Sequence, residues 1–295
     1  MTGKYLMEVK MYKNSDYVLP SKDLLEKRSK ELSNENKYYS LSKLTFKKDL
    51  KAKLVVPVGI DNDKVKYYID LNHVSGVFIE GETGSGKSVF IDSIIISLLL
   101  KNTPDELRLL CIDPKIVELK AYEELPHLMS YVINDFNKGK VWLTGISNLI
   151  KERESILKAK NIDEINDLND GEKLPHVIVF IDESFDLINE EETKQVLKEI
   201  LKKGDKLGVH LIMATNSYLK NGYDKSLLKL FPYVFTFDLS SKEQSKLINI
   251  EGADLLTVYG EAFVNIRNED VVRVQTPYTS EKDIKEVIRF IKENN

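Results

Sequence analysis

Cysteine is almost absent from this sequence, which has a single one, Cys111, in 295 residues. One cysteine allows no disulfide within the chain, and a reducing compartment suits this composition. The sequence also has no apolar run of the ~18 residues that span a bilayer, because Ser97 interrupts its longest apolar stretch at 94–100. The first ten residues lack the apolar segment of a signal peptide. We therefore expect a cytoplasmic chain that is not itself transmembrane.

Clusters of metal-ligating side chains are missing as well. No group of Cys and His residues has the spacing of a zinc site. The histidines His127, His176 and His210 lie far apart in the sequence, with no metal-ligand spacing between them. We interpret all three as packing or surface residues.

Neither charge sign is in large excess, since the formal net charge is −4. This value argues against a simple basic protein that coats DNA. The charge is unevenly spread, because residues 1–53 contain thirteen Lys and Arg against seven Asp and Glu. This N-terminal arm could contact phosphates, a membrane surface or an acidic neighbouring subunit, or it could be a solvated tail. We expect it to be extended or loosely packed, and residues 54–295 to form one folded domain.

Short apolar segments alternate with longer amphipathic segments after residue 54. The apolar segments predict buried strands at residues 77–79, 107–112, 177–181, 210–214 and 234–237. The amphipathic segments predict helices at residues 87–100, 137–158, 191–203, 241–249 and 281–293. Hairpins are expected at residues 54–69 and 262–275, and a polar surface loop at residues 161–173. The alternation predicts an α/β fold with a largely parallel sheet flanked by helices.

One segment carries the strongest chemical signal. Residues 81–88 match G-x-x-x-x-G-K-[ST] at every fixed position, after a predicted strand and at the start of a predicted helix. Glycines permit positive φ, and amides at a helix N-terminus attract phosphate. The predicted nucleotide-binding residues are Gly81, Glu82, Thr83, Gly84, Ser85, Gly86, Lys87, Ser88 and Val89. Lys87 is expected to contact the β- and γ-phosphates of ATP, and Ser88 to ligate Mg²⁺.

Polar residues follow two further predicted strands. Asp182 and Glu183 come directly after the strand at 177–181, and Asn216 comes shortly after the strand at 210–214. In P-loop enzymes one carboxylate of such a pair holds Mg²⁺, and the next orients or deprotonates the attacking water. We therefore assign Asp182 to the metal and Glu183 to catalysis, although an acidic pair can simply begin a loop. Asn216 could sense the γ-phosphate or position water, or it could be one of many polar strand ends.

Longer motifs give a family resemblance. Residues 111–119 read Cys-Ile-Asp-Pro-Lys-Ile-Val-Glu-Leu, and Tyr-Glu at 122–123 and Leu-Pro-His-Leu at 125–128 follow them. Together they are similar to the IDPK…EL..YE..PHL stretch behind the P-loop of the FtsK/SpoIIIE DNA translocases. Residues 181–187 and 208–215 resemble that family's IDE.ADL and GIHL.LAT segments, and residues 17–25 its Y.LPS.DLL linker. The likeness covers about residues 54–295.

The resemblance implies more than a P-loop alone would. It implies a RecA-like P-loop NTPase domain at residues 54–295 that hydrolyses ATP with Mg²⁺. It also implies a homo-oligomeric ring, with a hexamer expected, and duplex DNA as partner. The family's membrane region, winged-helix domain and most of its α subdomain are expected to be absent. We therefore favour a DNA translocase or DNA-transfer motor, encoded by a mobile element, that a membrane protein or coupling partner recruits through the N-terminal arm.

Departures from the family pattern leave alternatives open. The Q-R-P that follows the family's LAT is replaced by Asn-Ser-Tyr at 216–218, and the arginine of its P-T-R-I-A-F is missing from residues 232–237. Ring ATPases use an arginine of the neighbouring subunit, worth roughly 10³–10⁵-fold in rate. Candidates for that role on charge alone are Lys206, Lys246 and Arg267. Two alternative hypotheses therefore stay open. One is a conjugative coupling or protein-secretion ATPase, and the other is a nucleotide-binding assembly module that hydrolyses ATP poorly.

Two other segments allow either a functional or a purely structural interpretation. Residues 217–229 contain Lys220, Lys225 and Lys229 and could face a pore, although charged surface loops are commoner. Asp113 and Lys115 follow a predicted strand and could lie near the nucleotide or a subunit boundary. A plain turn at Pro114 explains them equally well.

Overall fold

The computed structural model describes residues 17–21, 25, 39–41, 53–116, 118–183, 185–216, 225–239, 241–247, 250–267 and 270–295. Its strands are β1 Tyr39–Ser40, β2 Val55–Ile60, β3 Lys66–Asp70, β4 Gly76–Glu80, β5 Leu107–Ile112, β6 His176–Asp182, β7 Val209–Thr215, β8 Tyr233–Thr236, β9 Glu261–Ile266, β10 Asp270–Gln275 and β11 Pro277–Tyr278. Its α-helices are α1 Lys87–Leu99, α2 Phe136–Lys160, α3 Phe185–Asn189, α4 Glu191–Lys203, α5 Lys225–Leu228, α6 Lys242–Leu247 and α7 Glu281–Asn294. Short 3₁₀ helices lie at Leu71–His73, Lys120–Tyr122, Ile165–Asp167, Asp170–Glu172 and Ala253–Leu255. Within these ranges, none of the helices has both the length and the apolarity needed to cross a bilayer.

One large sheet organises the domain. Its strands follow the order β3-β2-β10-β9-β8-β4-β7-β6-β5. The five strands from β8 to β5 are mutually parallel, whereas the hairpins β2–β3 and β9–β10 extend the sheet in antiparallel fashion. The predicted α/β fold with a largely parallel sheet and flanking helices is confirmed, as are both hairpins. Because β7 lies between β4 and β6, the carboxyl ends of these three strands are neighbours at one edge.

Helices cover both faces of this sheet, as buried parallel strands require. Neighbouring residues of β4 alternate between two apolar cores, with Ile79 in the first and Phe78 in the second. Phe90 of α1 packs into the first core, and Leu143 of α2 packs into the second. Both β6 and β7 are buried along their whole length, which explains why their sequences read as continuous apolar runs.

Parts of the N-terminal arm pack against this domain. Leu25 and Leu41 are only 3% and 1% exposed and belong to the first core. β1 pairs in parallel with β11, and the Tyr17 ring meets the His127 ring edge-on at 5.5 Å. The prediction of an extended or loosely packed arm is wrong at these positions, because their apolar side chains are buried on the domain. The rest of the arm lies outside the described residues, and the boundary near residue 53 stays a prediction.

The acidic segment at 161–173 is more than a surface loop. It contains the 3₁₀ helices Ile165–Asp167 and Asp170–Glu172, and its side chains Ile165 and Leu168 are buried in the second core. The Ile165 N–H donates to the Lys206 carbonyl at 2.8 Å. The surface-loop prediction is therefore wrong for these two residues, because isolated apolar residues in a polar run give no periodic signal.

Two of the histidines form a buried pair at the amino-terminal ends of β6 and β7. The rings of His176 and His210 stack at 5.2 Å, with His176 Nδ1 2.9 Å from His210 Nε2. His210 Nδ1 lies 2.8 Å from the Val74 carbonyl, which can only accept, so this nitrogen carries the proton. Burial, with a smaller contribution from the nearby Arg153 cation, lowers the pKa of His176 to about 3 and that of His210 to about 4. The packing interpretation is confirmed, and these two histidines are neutral at pH 7.

Acidification from pH 7 to pH 4 is expected to destabilise the fold through this pair. Both histidines have a pKa below the ~6.5 of an unfolded histidine, so the unfolded chain takes up protons that the folded chain does not. Their stabilisation is complete above about pH 6.5 and is lost as the pH falls towards the folded-state pKa values of about 4 for His210 and about 3 for His176. Each histidine then adds a slope of about 1.4 kcal/mol per pH unit to the free energy of unfolding. Urea unfolding at stepped pH values measures this slope.

A matched pair of variants isolates the effect. His210→Gln removes one buried titrating ring and is expected to flatten the slope, whereas His73→Gln changes an exposed ring and leaves it as in the parent. If His210→Gln kept the full parental slope, the buried pair would not be its source.

Candidate functional site

The P-loop connects β4 to α1 at the carboxyl edge of the sheet, in the strand–turn–helix context that the motif requires. Gly86 is the N-cap of α1 and has φ +113°. A Cβ there would lie 2.8 Å from the backbone of Gly260, so only glycine fits. Gly84, at φ +84°, faces outward, and a Cβ there would meet no atom within 4 Å. The loop is thus closely packed on one side and open on the other.

Backbone hydrogen bonds hold the closed side of the loop. The Glu82 N–H donates to the Asp238 carbonyl at 2.8 Å, and the Gly260 N–H donates to the Ser85 carbonyl at 3.0 Å. The first bond within α1 runs from the Phe90 N–H to the Gly86 carbonyl at 3.1 Å. The amides of residues 87–89 precede that bond, so they point out of the helix end, where the helix dipole favours an anion.

Lys87 is buried inside this loop, with 7% of its surface exposed. Its Nζ donates to the carbonyls of Gly81 at 2.7 Å and Glu82 at 3.0 Å. Burial lowers the pKa of Lys87 to about 8, an effect that the charge of Asp182 opposes most strongly. The ammonium therefore lies in a weakly hydrated position beside the loop amides, where attraction to an anion is strong.

The acidic pair ends β6 on the same edge. Asp182 is 7% exposed, and burial raises its pKa to about 7, with Asp113 adding to the rise and Lys87 opposing it. Glu183 has φ +46°, which is uncommon for a residue with a Cβ, and its N–H donates to the Ala214 carbonyl at 3.0 Å. The Glu183 carboxylate forms a salt bridge with Lys115. The structure thus places Asp182 within electrostatic reach of Lys87, as the sequence-based assignment requires.

Asn216 links β7 to the P-loop. It follows β7, which lies between β4 and β6, and its Nδ2 donates to Thr83 Oγ1 at 3.3 Å. The contact joins the side chain to the tip of the loop, opposite its closed side. The role of Asn216 as a sensor of the terminal phosphate stays a prediction.

Asp113 organises the turn that carries Lys115. Its carboxylate, fully buried, accepts the N–H groups of Lys115 at 3.0 Å, Glu118 at 3.0 Å and Leu119 at 3.1 Å. The interpretation as a turn is therefore confirmed. The turn also lies at the candidate site, because Lys115 reaches Glu183 and the charge of Asp113 raises the pKa of Asp182.

Two carboxyls near the loop, Glu80 buried and Asp92 half-buried, were not singled out from the sequence. Glu80, the last residue of β4, is 2% exposed and accepts a 3.4 Å bond from Thr236 Oγ1, and burial raises its pKa to about 8. Asp92 of α1 accepts a 2.6 Å bond from the Tyr122 hydroxyl, and burial raises its pKa to about 7. The sequence did contain a signal for each of them. Glu80 is a carboxylate inside an apolar strand, and Asp92 lies four residues after Ser88, on the same face of the helix.

Two of the other cationic candidates lie away from this site. Lys206 precedes β7, and the Arg267 N–H donates to the Pro232 carbonyl before β8, so both lie at the opposite, amino-terminal edge of the sheet. Lys246 is exposed on α6. Residues 217–224, with Lys220, are outside the described residues, while α5 begins at Lys225. Roles for these side chains in a neighbouring subunit or a pore stay predictions.

Comparison with known proteins adds the family. Residues 42–173 match the model of the FtsK/SpoIIIE family. The chain is 34% identical over 249 residues to the DNA translocase FtsK of Helicobacter pylori strain J99. The aligned region covers 81% of this chain and 30% of that relative. This chain therefore spans about 30% of the relative's length.

Solved structures share the fold at lower identity. The pCW3 conjugation coupling protein TcpA, solved as a monomer with ATPγS, superposes with a TM-score of 0.72 at 21% identity, over 88% of this chain and 74% of that one. EssC of Geobacillus thermodenitrificans, in its ATPases 2 and 3, superposes with a TM-score of 0.71 at 21% identity, over 81% of this chain and 49% of that one. The family model and the sequence relative show that this chain carries a domain of the FtsK/SpoIIIE family, matched at residues 42–173, and that this domain is a P-loop ATPase domain.

Proposed function

We propose that this chain binds ATP and Mg²⁺ at residues 81–89 and couples ATP hydrolysis to the movement of duplex DNA. The observation that carries the proposal is the convergence of Lys87, Asp182 and Glu183 at one edge of the sheet, although Lys87 follows β4, the acidic pair ends β6, and β7 lies between those strands. Phosphoryl transfer depends on positioned amides, a cation and acidic groups of this kind.

The described residues fit a nucleoside triphosphate with a divalent cation. The amides of residues 87–89 and the Lys87 ammonium provide positive charge on the open side of the P-loop. Ser85 Oγ is buried and has no hydrogen-bond partner among the described residues, so the loop retains a donor that a bound phosphate can use. Ser88 and Asp182 would hold Mg²⁺, which when bound neutralises charge on the phosphate oxygens.

Each remaining side chain has a distinct role in this proposal. Lys87 stabilises negative charge that develops on the terminal phosphate. Glu183 orients a water molecule and accepts its proton. Asn216, in contact with Thr83, reports the state of the terminal phosphate to β7. Hydrolysis then changes contacts at the carboxyl ends of the adjacent strands β6 and β7.

Duplex DNA is the favoured cargo because the 34% identical relative is a DNA translocase, whereas the coupling protein and EssC share only the fold. A ring of six copies around DNA, on the cytoplasmic side of a membrane, is the assembly we propose. The N-terminal arm would bind the recruiting partner, and a neighbouring subunit would supply a cation to each site. Lys206, Lys246 and Arg267 are the candidates for that cation.

Turnover of ATP by the purified protein is expected to rise several-fold when duplex DNA is added at low salt. The stimulation should fall steeply between about 50 and 200 mM salt, because counterions compete with the protein for DNA phosphates. Steady-state assays with and without duplex DNA measure this effect, and particle imaging shows whether rings form.

A polyanion without base pairs, such as heparin, is the control for nonspecific charge. Stimulation by duplex DNA alone supports a DNA motor. If DNA gave no stimulation in any low-salt buffer while a protein that carries a secretion signal did, the hypothesis of a protein-secretion ATPase would replace that of a DNA motor. A pure oligomer without measurable turnover would instead favour the assembly module.

A further inference from the structure

We propose that Lys115 is a positioning residue for Glu183, which it holds through an ion pair anchored on the Asp113 turn. The inference rests on the proposed function, since it concerns how the catalytic carboxylate is oriented. Lys115 comes from the segment after β5, whereas Glu183 follows β6, so the contact depends on the pairing of these strands.

The two partners differ in their surroundings. The Glu183 side chain is 15% exposed, whereas the Lys115 side chain is 59% exposed. Exposed ion pairs on a protein surface contribute little, because water and side-chain entropy oppose them. Here the carboxylate is mostly shielded from water at the carboxyl edge of the sheet, beside Asp182. The ion pair with Lys115 therefore fixes the direction of the Glu183 carboxylate.

The base of Lys115 is rigid although its tip is exposed. Asp113 accepts the Lys115 N–H and also those of Glu118 and Leu119, so its buried carboxylate closes the turn. The Asp113 N–H in turn donates to the Ile133 carbonyl at 2.9 Å. The Lys115 side chain therefore begins at a backbone position that hydrogen bonds hold in place.

Glu183 is fixed in its backbone but not in its side chain. Its φ of +46° and its bond to the Ala214 carbonyl determine where the side chain begins. A glutamate has three further side-chain torsions, and a general base must lie within hydrogen-bond reach of its water. Lys115 restricts these torsions through its ion pair with the carboxylate.

The test compares Lys115→Met, Lys115→Arg and the control Lys120→Met in ATP turnover and in titrations with ATP and Mg²⁺. Lys115→Met is expected to lower kcat roughly tenfold, as expected for a misplaced catalytic group. Its KM and ATP affinity should stay within about twofold of the parent, because the ion pair and hydrogen bond of Lys115 join it to Glu183 and Asp113 rather than to residues 81–89. Lys115→Arg should restore most of kcat, and Lys120→Met, an exposed lysine of the same segment, should match the parent.

A purely structural role would change stability or ATP affinity together with kcat, and no rescue by arginine would be seen. Parental or raised kcat in Lys115→Met would overturn the proposal, as would a change in KM alone. Lys115→Gln serves as the neutral variant if Lys115→Met does not fold. If the parent hydrolyses ATP and Glu183→Gln does not, a normal Lys115→Met refutes only this inference. If the parent itself fails to hydrolyse ATP, the proposed function fails first.

Discussion

Glu183→Gln is expected to lower kcat for ATP by at least about 100-fold while ATP binding is retained, because general-base catalysis contributes at least that factor. Glutamine keeps the size of glutamate but cannot accept a proton from water. It also loses the ion pair with Lys115. Binding is retained because Glu183 follows β6, whereas the phosphate-binding residues lie between β4 and α1. Single-turnover kinetics and nucleotide titration measure the two quantities separately.

Glu192→Gln is the matched control, since that side chain is 83% exposed on α4 and forms its ion pair with Lys140. It should keep parental turnover. A Glu183→Gln enzyme that hydrolyses ATP as fast as the parent would remove Glu183 from the mechanism. Loss of binding together with turnover would point to a structural defect instead, and the unfolding curve would show it.

Local sequence patterns predicted the elements of the fold well. Every predicted strand beyond residue 70 and every predicted helix beyond residue 86 is present within about two residues in the described part of the chain, because apolar periodicity and strand length are local properties. The P-loop and the Asp182–Glu183 pair were recognised for the same reason, since their motifs are contiguous. Their placement at one edge follows from parallel strands, whose carboxyl ends coincide.

Contacts between distant segments were beyond such reasoning. Nothing in the local sequence shows that β7 separates β4 from β6, or that Lys115 meets Glu183. Glu80 was missed because a carboxylate in a strand is ordinarily exposed, whereas here it is buried between β4 and β8. Leu41 was assigned to a loose arm because its neighbours are polar and only tertiary packing buries it. Each of these errors concerns burial or pairing that the whole sheet determines.

Lys87→Ala is expected to weaken binding of ATP and Mg²⁺ by roughly 10- to 100-fold and to abolish measurable turnover, since hydrogen bonds to charged groups contribute about 1.5–3 kcal/mol. Burial lowers the pKa of Lys87 to about 8, so the nearby charge of Asp182 compensates the burial of the ammonium only in part. A bound phosphate would supply the negative charge that the buried ammonium lacks, so its removal affects binding more than folding. Titration with a fluorescent ATP analogue and urea unfolding measure the two effects.

The stability measurement makes this prediction specific. Lys87→Met keeps much of the apolar stem and removes a buried cation, so its free energy of unfolding should equal or exceed that of the parent. Its ATP affinity should fall as far as that of Lys87→Ala. A variant that unfolded early would show that Lys87 supports the loop through its bonds to the carbonyls of Gly81 and Glu82. If either variant bound ATP and Mg²⁺ with parental affinity, the P-loop would not be the nucleotide site, and the proposed motor would lose its physical basis.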